Sequence, residues 1–311
     1  MAEKIPVIIE PVQKTEYSFS NLDYCTQCGS YTTLKEGSCL KCKGDKFISF
    51  ESMIDKMCRR RNKKEIVFLL NIFLVLIILG GVIFPINTIQ LMVSVAILII
   101  CLASLIIIQK KFSQSFRLFE IDETIRQEGY IIQQSLELDS QRINGYLEEG
   151  DYLEAYKGLR NIGAVVKKEY VKTAKIRCLN RFILRSDMPL EMDELLLSGY
   201  HKDLIKYIYE ISKLQRNLIK QPTIDYCIQN QHYIQKDFNN ANVILGNVAG
   251  AAVYSRNSLE LNKDFIIKYV NDIPQERILR IQKLLSTNTK YDWDELQEAI
   301  LAMKGASYEE S

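Results

Sequence analysis

Between residues 66 and 108 the chain carries no charged side chain. Two apolar runs make up this stretch, IVFLLNIFLVLIILGGVIF over 66–84 and IQLMVSVAILIICLASLIII over 89–108. Each is about 20 residues long, and at ~1.5 Å per residue a helix of that length matches the ~30 Å hydrocarbon core of a bilayer. A helix in an ordinary protein core keeps a polar face, whereas these runs offer few strongly polar members, Asn71, Gln90 and Ser94 among them. The sequence therefore predicts two transmembrane helices. Pro85, Ile86, Asn87 and Thr88 leave room for a tight turn alone, so the spans are expected to form an antiparallel hairpin. Lys56, Arg59, Arg60, Arg61, Lys63 and Lys64 precede the first run, Lys110, Lys111 and Arg117 follow the second, and the turn is uncharged. Positive flanks stay in the cytoplasm. The expectation is a multi-pass membrane protein with two spans and both termini cytoplasmic, its basic flanks resting on membrane lipids. The first forty residues hold no apolar run, so no cleavable signal peptide is expected.

The second constraint is a spacing of cysteines. Of eight in the chain, four fall at Cys25, Cys28, Cys39 and Cys42, in the pattern CxxC, ten residues, CxxC. Two residues between cysteines let both thiolates of a pair meet one metal ion, and two such pairs complete a tetrahedral four-sulfur site of the kind that suits zinc. Gly29 directly after the first pair permits the tight turn such a knuckle needs. Disulfides belong to oxidising compartments, which the expected cytoplasmic location argues against. An iron centre with the same ligands is a minor alternative.

On these residues the segment resembles the zinc-ribbon family, over roughly residues 20–50. Cys25, Cys28, Cys39 and Cys42 match the family's four ligands, and the resemblance implies one structural Zn2+ per chain. The second knuckle departs from the pattern, because Lys43 stands between Cys42 and Gly44. Many ribbons bind nucleic acid. This one offers Tyr31, Lys35, Lys41, Lys43 and Lys46 against Glu36 and Asp45, a modest basic excess. Contact with protein is the favoured use of such a surface.

Beyond Lys111 the pattern turns helical. Phe116, Phe119, Ile121, Ile125, Ile132, Leu136, Leu138 and Ile143 recur with spacings of three and four prominent, as in one long amphipathic helix weakened near Gly129. Residues 146–160, YLEEGDYLEAYKGLR, resemble half of a tetratricopeptide-like helical hairpin. There Gly150 would end one helix in a left-handed conformation and Asp151 would cap the next. Further helices are predicted over 151–185, 190–220, 222–238, 258–271, 274–286 and 292–304. Pro189, Pro222 and Pro274 sit near their starts, and Asp292 with Glu295 reads as a capping box. The segment 242–253, NVILGNVAGAAV, is small and apolar, with Gly246 and Gly250 four apart. It is too short to span a bilayer, so close packing inside the C-terminal region or a partner groove is expected.

The expected fold class is mainly α: a small N-terminal zinc ribbon, a two-helix transmembrane hairpin and a C-terminal cytoplasmic α-helical region. In order, these are a flexible N-terminus over 1–19, the ribbon-like module over 20–50, a basic juxtamembrane linker over 51–65, the hairpin over 66–108, the helical domain over 109–304 and a disordered tail over 305–311. A net charge of +2 gives no global field toward nucleic acid or an acidic partner. No phosphate loop, GxSxG or HExxH motif occurs, and the two histidines, His201 and His232, suggest no catalytic pair. No catalytic residue and no enzymatic activity is therefore expected. The function expected is a membrane-anchored cytoplasmic scaffold or adaptor, holding protein partners through the ribbon and the helical domain. A membrane-tethered nucleic-acid-binding protein and a self-associating membrane assembly, pore-forming or membrane-shaping, are the alternatives.

Overall fold

The computed structural model describes residues 4–11, 18–34, 37–57, 87–286 and 293–309, with single helical positions at Leu69, Ile72, Phe73 and Leu76. The chain forms two compact units. One is Thr15–Arg142; the other joins Met1–Lys14 to Ile143–Ser311.

The first unit opens with a 3-10 turn at Ser18–Asn21 and continues into a small antiparallel sheet. Its strands β2 (Asp23–Cys25), β3 (Tyr31–Thr32) and β4 (Phe47–Ser49) lie in the order β3-β2-β4. Asp23 stands opposite both Thr32 and Ser49, and Tyr24 opposite both Tyr31 and Ile48. A short helix, α1 (residues 50–57), follows β4 directly. It is tied back at its first residue, where the Phe50 amide donates to the Leu22 carbonyl at 2.9 Å. Leu22, Phe50 and Ile54 are fully buried, with Phe50 stacked at a tilt near Phe19 and Tyr31. This core is small, and a module of this size needs a further constraint to hold together.

The long helix α2 runs from Thr88 to Glu149, 62 residues without a break. It passes straight through Gly129, the position expected to weaken it. Among the described residues, no helix is long and apolar enough to cross a membrane. This overturns the expected transmembrane hairpin and, with it, the multi-pass localisation with cytoplasmic termini and the membrane part of the expected fold class. The run 66–84 and the turn after it lie largely outside the described residues. The run 89–108 is not an element in its own right. It opens α2, and the same helix continues through Lys110, Lys111 and Arg117 into a charged sequence. A window of apolar composition was thus mistaken for a structural boundary.

In the second unit, residues 4–11, part of the N-terminal segment expected to be flexible, are built into the fold. Strand β1 (Ile5–Pro6) pairs in parallel with β5 (Phe182–Ile183). Val7 and Ile9 are buried while Ile8 between them is 74% exposed, the alternation of an extended chain with one face inward. The Arg160 guanidinium donates to the Glu10 carbonyl at 2.7 Å, and Lys4 pairs with Glu210 at 3.1 Å.

Helices α3 (Tyr152–Val165) and α4 (Glu169–Leu179) pack against each other, and α4 packs on α5 (Lys202–Leu214). The turn into α3 forms as its residues dictate. Gly150 adopts φ +82°, and the Asp151 carboxylate accepts from the Glu154 amide at 3.2 Å. Nothing further supports a tetratricopeptide-like arrangement. The helix expected over 151–185 breaks at Val166, whose backbone is extended, and ends in β5.

The helix expected from 190 does not form before Lys202, because residues 190–201 are held in place by side chains instead. Leu190, Met192, Leu195 and Leu197 are buried. The Tyr207 hydroxyl donates to the Glu191 carbonyl, Lys172 to the Leu196 carbonyl and Gln215 to the Met188 carbonyl. The Glu191 carboxylate pairs with buried Lys175 at 2.9 Å and accepts from the Tyr156 hydroxyl, also at 2.9 Å. Burial and the adjacent Glu191 push the Tyr156 hydroxyl well above its ordinary range.

The remaining helices are α6 (Gln221–Gln229), α7 (Gln231–Asp237), α8 (Ala241–Ala251), α9 (Arg256–Leu261), α10 (Lys263–Lys268), α11 (Gln275–Ser286) and α12 (Asp294–Glu309). They gather around α8, which packs against α5, α6, α7, α10 and the 3-10 turn Val270–Asp272. The small residues of α8 permit this. A Cβ at Gly246 would lie 2.4 Å from the Asp272 carbonyl oxygen, so only glycine lets the two backbones approach. Close packing was one of the two expectations for this segment. At the C-terminus, α12 continues to Glu309 where a disordered tail was expected; Asp292, the expected cap, lies outside the described residues.

Candidate metal centre

Cys25 ends β2, and the chain then turns through Thr26, Gln27 and Cys28 to Gly29. The Gly29 amide closes this turn onto the Cys25 carbonyl at 2.9 Å, with φ +73° at Gly29. The second knuckle repeats the device. The Lys43 amide closes onto the Cys39 carbonyl at 2.8 Å, with φ +60° at Lys43. Lys43 therefore does not interrupt the knuckle. It occupies the left-handed position that Gly29 holds in the first, each four residues after the leading cysteine. The Cys39 amide in turn donates to the Gly44 carbonyl at 2.7 Å.

These two turns bring four sulfur atoms together. Those of Cys25, Cys28, Cys39 and Cys42 all lie within 4.8 Å of one another. Cys25 and Cys42 approach to 3.7 Å, Cys28 and Cys39 to 3.6 Å. Tetrahedral zinc with Zn–S of about 2.3 Å sets sulfurs about 3.8 Å apart. The closest pairs meet that spacing, and the cluster fits a zinc-ribbon-like site. None of the four forms a disulfide. The expected ligand residues are thus brought to one point, with Cys25 and Cys39 buried, Cys28 half-buried and Cys42 exposed.

The surroundings favour the thiolate at Cys28 and Cys39. The Ser30 hydroxyl lies 3.0 Å from the Cys28 sulfur and 3.3 Å from that of Cys39. Burial resists ionisation of Cys39, but hydrogen bonds from Ser30, from the Cys42 and Lys41 backbone and from Cys28 outweigh it and bring its thiol down to about 6. Cys28 is lowered by the same kind of contest, with burial opposed by the Ser30 side chain and backbone. At Cys42 the Gly44 amide favours the thiolate, but burial and the three neighbouring sulfurs push the thiol up to about 12. Four thiols at one point cannot all ionise without a cation among them. By contrast, burial alone raises Cys227 to about 12, and it also dominates at Cys178, likewise about 12; neither belongs to a cluster. His232, five residues beyond Cys227, is exposed while that thiol is fully buried.

The module is anchored through residues that sequence reasoning missed. Asp139 of α2 is 1% exposed, and its carboxylate accepts from the Thr32 hydroxyl at 2.9 Å, the Thr33 amide at 2.6 Å and the Thr33 hydroxyl at 2.9 Å. The Tyr31 amide donates to the Ser135 hydroxyl at 3.1 Å, and the Tyr31 hydroxyl to the Glu128 carboxylate. Burial and Glu128 raise the Tyr31 hydroxyl strongly. Glu128, Ser135 and Asp139 sit at helical spacings of seven and four on α2, one stripe of a helix. Only the period was visible in the sequence; the partner strand was not.

No protein family, curated protein or solved structure matches the chain.

Proposed function

We propose that the protein is an interaction scaffold, in which a structural zinc ion fixes the N-terminal module and α2 presents a surface to a protein partner. One observation carries the reading. At the start of α2, Ile89, Met92, Val95 and Ile99 are 76%, 72%, 41% and 61% exposed. Their spacings of three and four place them in one apolar stripe. Such stripes cover the face of a partner helix rather than stand in water. The four-cysteine cluster supports a structural role for the metal, because the chain supplies every ligand of a tetrahedral ion and leaves no position for a substrate. The test is affinity purification and crosslinking with the full chain, beside a Met92→Glu, Ile99→Glu double variant. A partner recovered with the parent and lost with the double variant supports the scaffold. Equal recovery with both rules out the stripe.

A second reading, nucleic-acid binding through the ribbon, is favoured by Lys41, Lys43 and Lys46, which are exposed and pair with no described residue. Against it, Tyr31, the aromatic residue such a surface would use for stacking, is 2% exposed and bonded to Glu128. Binding that falls steeply with salt and is lost on replacing these lysines would favour this reading.

A further inference from the structure

We propose that Arg216, Arg277 and Arg280 form a binding site for a phosphate group on the C-terminal unit, independent of the scaffold reading. Arg277 leaves the first turn of α11 with its stem against α8: a Cβ placed on Gly250 would stand 3.3 Å from Arg277 Cγ. Its side chain is only 19% exposed, and its Nε is buried with no hydrogen-bond partner. Among the described residues, the carboxylate paired with it is that of Glu276, 4.0 Å from Nε, and Glu276 is already bonded by the Arg216 guanidinium. Arg280 follows one turn later on α11, held by donation of its Nη2 to the Tyr254 carbonyl at 3.1 Å.

The Arg216 and Arg277 guanidinium groups thus share the Glu276 carboxylate, and Arg280 adds a further positive charge beside Arg277. A buried guanidinium without a hydrogen-bonded counterion is costly, and its fork of N–H donors matches phosphate oxygens. Burial and the nearby Arg216 and Arg280 depress the basicity of Arg277, and Glu276 only partly offsets this. A phosphate dianion at the exposed ends of these guanidinium groups would supply the counter-charge that Glu276 alone does not. The amino end of α11 adds a partial positive charge on the same side.

The experiment is isothermal titration of the zinc-loaded full chain with inorganic phosphate at constant ionic strength, together with co-sedimentation on phosphatidylcholine vesicles with and without phosphatidic acid. Saturable binding of one phosphate per chain is expected, weakened at least tenfold in Arg277→Gln. Glu276→Gln should tighten it several-fold by releasing Arg216. Circular dichroism checks the fold, and Arg216→Gln serves as the second loss variant if Arg277→Gln does not fold. Capture by phosphatidic acid vesicles alone would assign the phosphate to a lipid headgroup, and binding in solution to a small molecule. No saturable binding to either, or equal affinity in parent and loss variants, overturns the site.

Discussion

Lys43 shows how a single residue can depart from a motif and still serve it. Its φ of +60° is a conformation that L side chains adopt at a cost, and it is the described non-glycine residue that does so. The knuckle requires the conformation because the amide must reach the Cys39 carbonyl. Lys43→Gly is therefore expected to stabilise the metal-loaded protein by about 1 kcal/mol, read as a raised denaturation midpoint. A destabilised variant would mean that the lysine side chain makes a contact worth more than the backbone strain. Gly246 is the opposite case. There φ is ordinary and the constraint is space, since an added Cβ would meet the carbonyl group and Cβ of Asp272. Gly246→Ala should cost about 3 kcal/mol, because α8 and the turn after α10 must separate. Gly199→Ala, with nothing within 4 Å of its Cβ, is the control and should leave the midpoint nearly unchanged.

Among the elements, α2 decides the most. Its stripe of Glu128, Ser135 and Asp139 replaces, for the ribbon, the core that so short a segment cannot build. Asp139→Ala would remove the buried carboxylate that accepts from the Thr33 amide and from the Thr32 and Thr33 hydroxyls, at about 3 kcal/mol. Asp139→Asn still accepts from Thr33 and should lose less, so the order parent, Asn, Ala in chemical denaturation tests the assignment. Gly129 lies within the same helix with nothing within 4 Å of a built Cβ, so Gly129→Ala should stabilise α2 by about 0.8 kcal/mol. Elements like these mark the limit of what a sequence discloses. The cysteine spacing, the Gly150 and Asp151 turn and the close packing of 242–253 were legible because each rests on a local requirement. The anchoring by Asp139 was not legible, since its partners lie more than a hundred residues away. Nor was the loop over 190–201, where distant side chains satisfy the carbonyls and displace a helix. The apolar run 89–108 misled for a related reason. Composition measures a window, whereas a helix ends where its caps and neighbours end it, here at Glu149.

At the scale of the whole chain, the two units draw stability from different sources, and that difference can be measured. Among its described residues, the unit Thr15–Arg142 has a small set of buried apolar side chains and the four-cysteine cluster that could hold a metal ion. A structural zinc ion is worth roughly 10–16 kcal/mol to small peptides of this kind, more than such a core supplies. The unit containing Ile143–Ser311 has an extensive apolar core, including Leu195, Leu204, Ile208, Leu245 and Val248 at full burial, and holds no candidate metal cluster among its described residues. Removing zinc with a chelator, or replacing Cys28 by Ser, should therefore unfold residues 18–57 and leave the larger unit intact. Hydrogen exchange followed by mass spectrometry reads both at once. Peptides around Cys25 and Cys39 should lose protection on chelation and regain it with one zinc per chain, while those covering α5 and α8 keep theirs. Loss of protection throughout would show that the ribbon supports the helical core, and no loss in the ribbon would show that hydrogen bonding to Asp139 suffices without metal. The expected outcome follows from what the described residues of each unit bury: one has enough apolar area to fold on that account, and the other has a candidate metal cluster beside a small core.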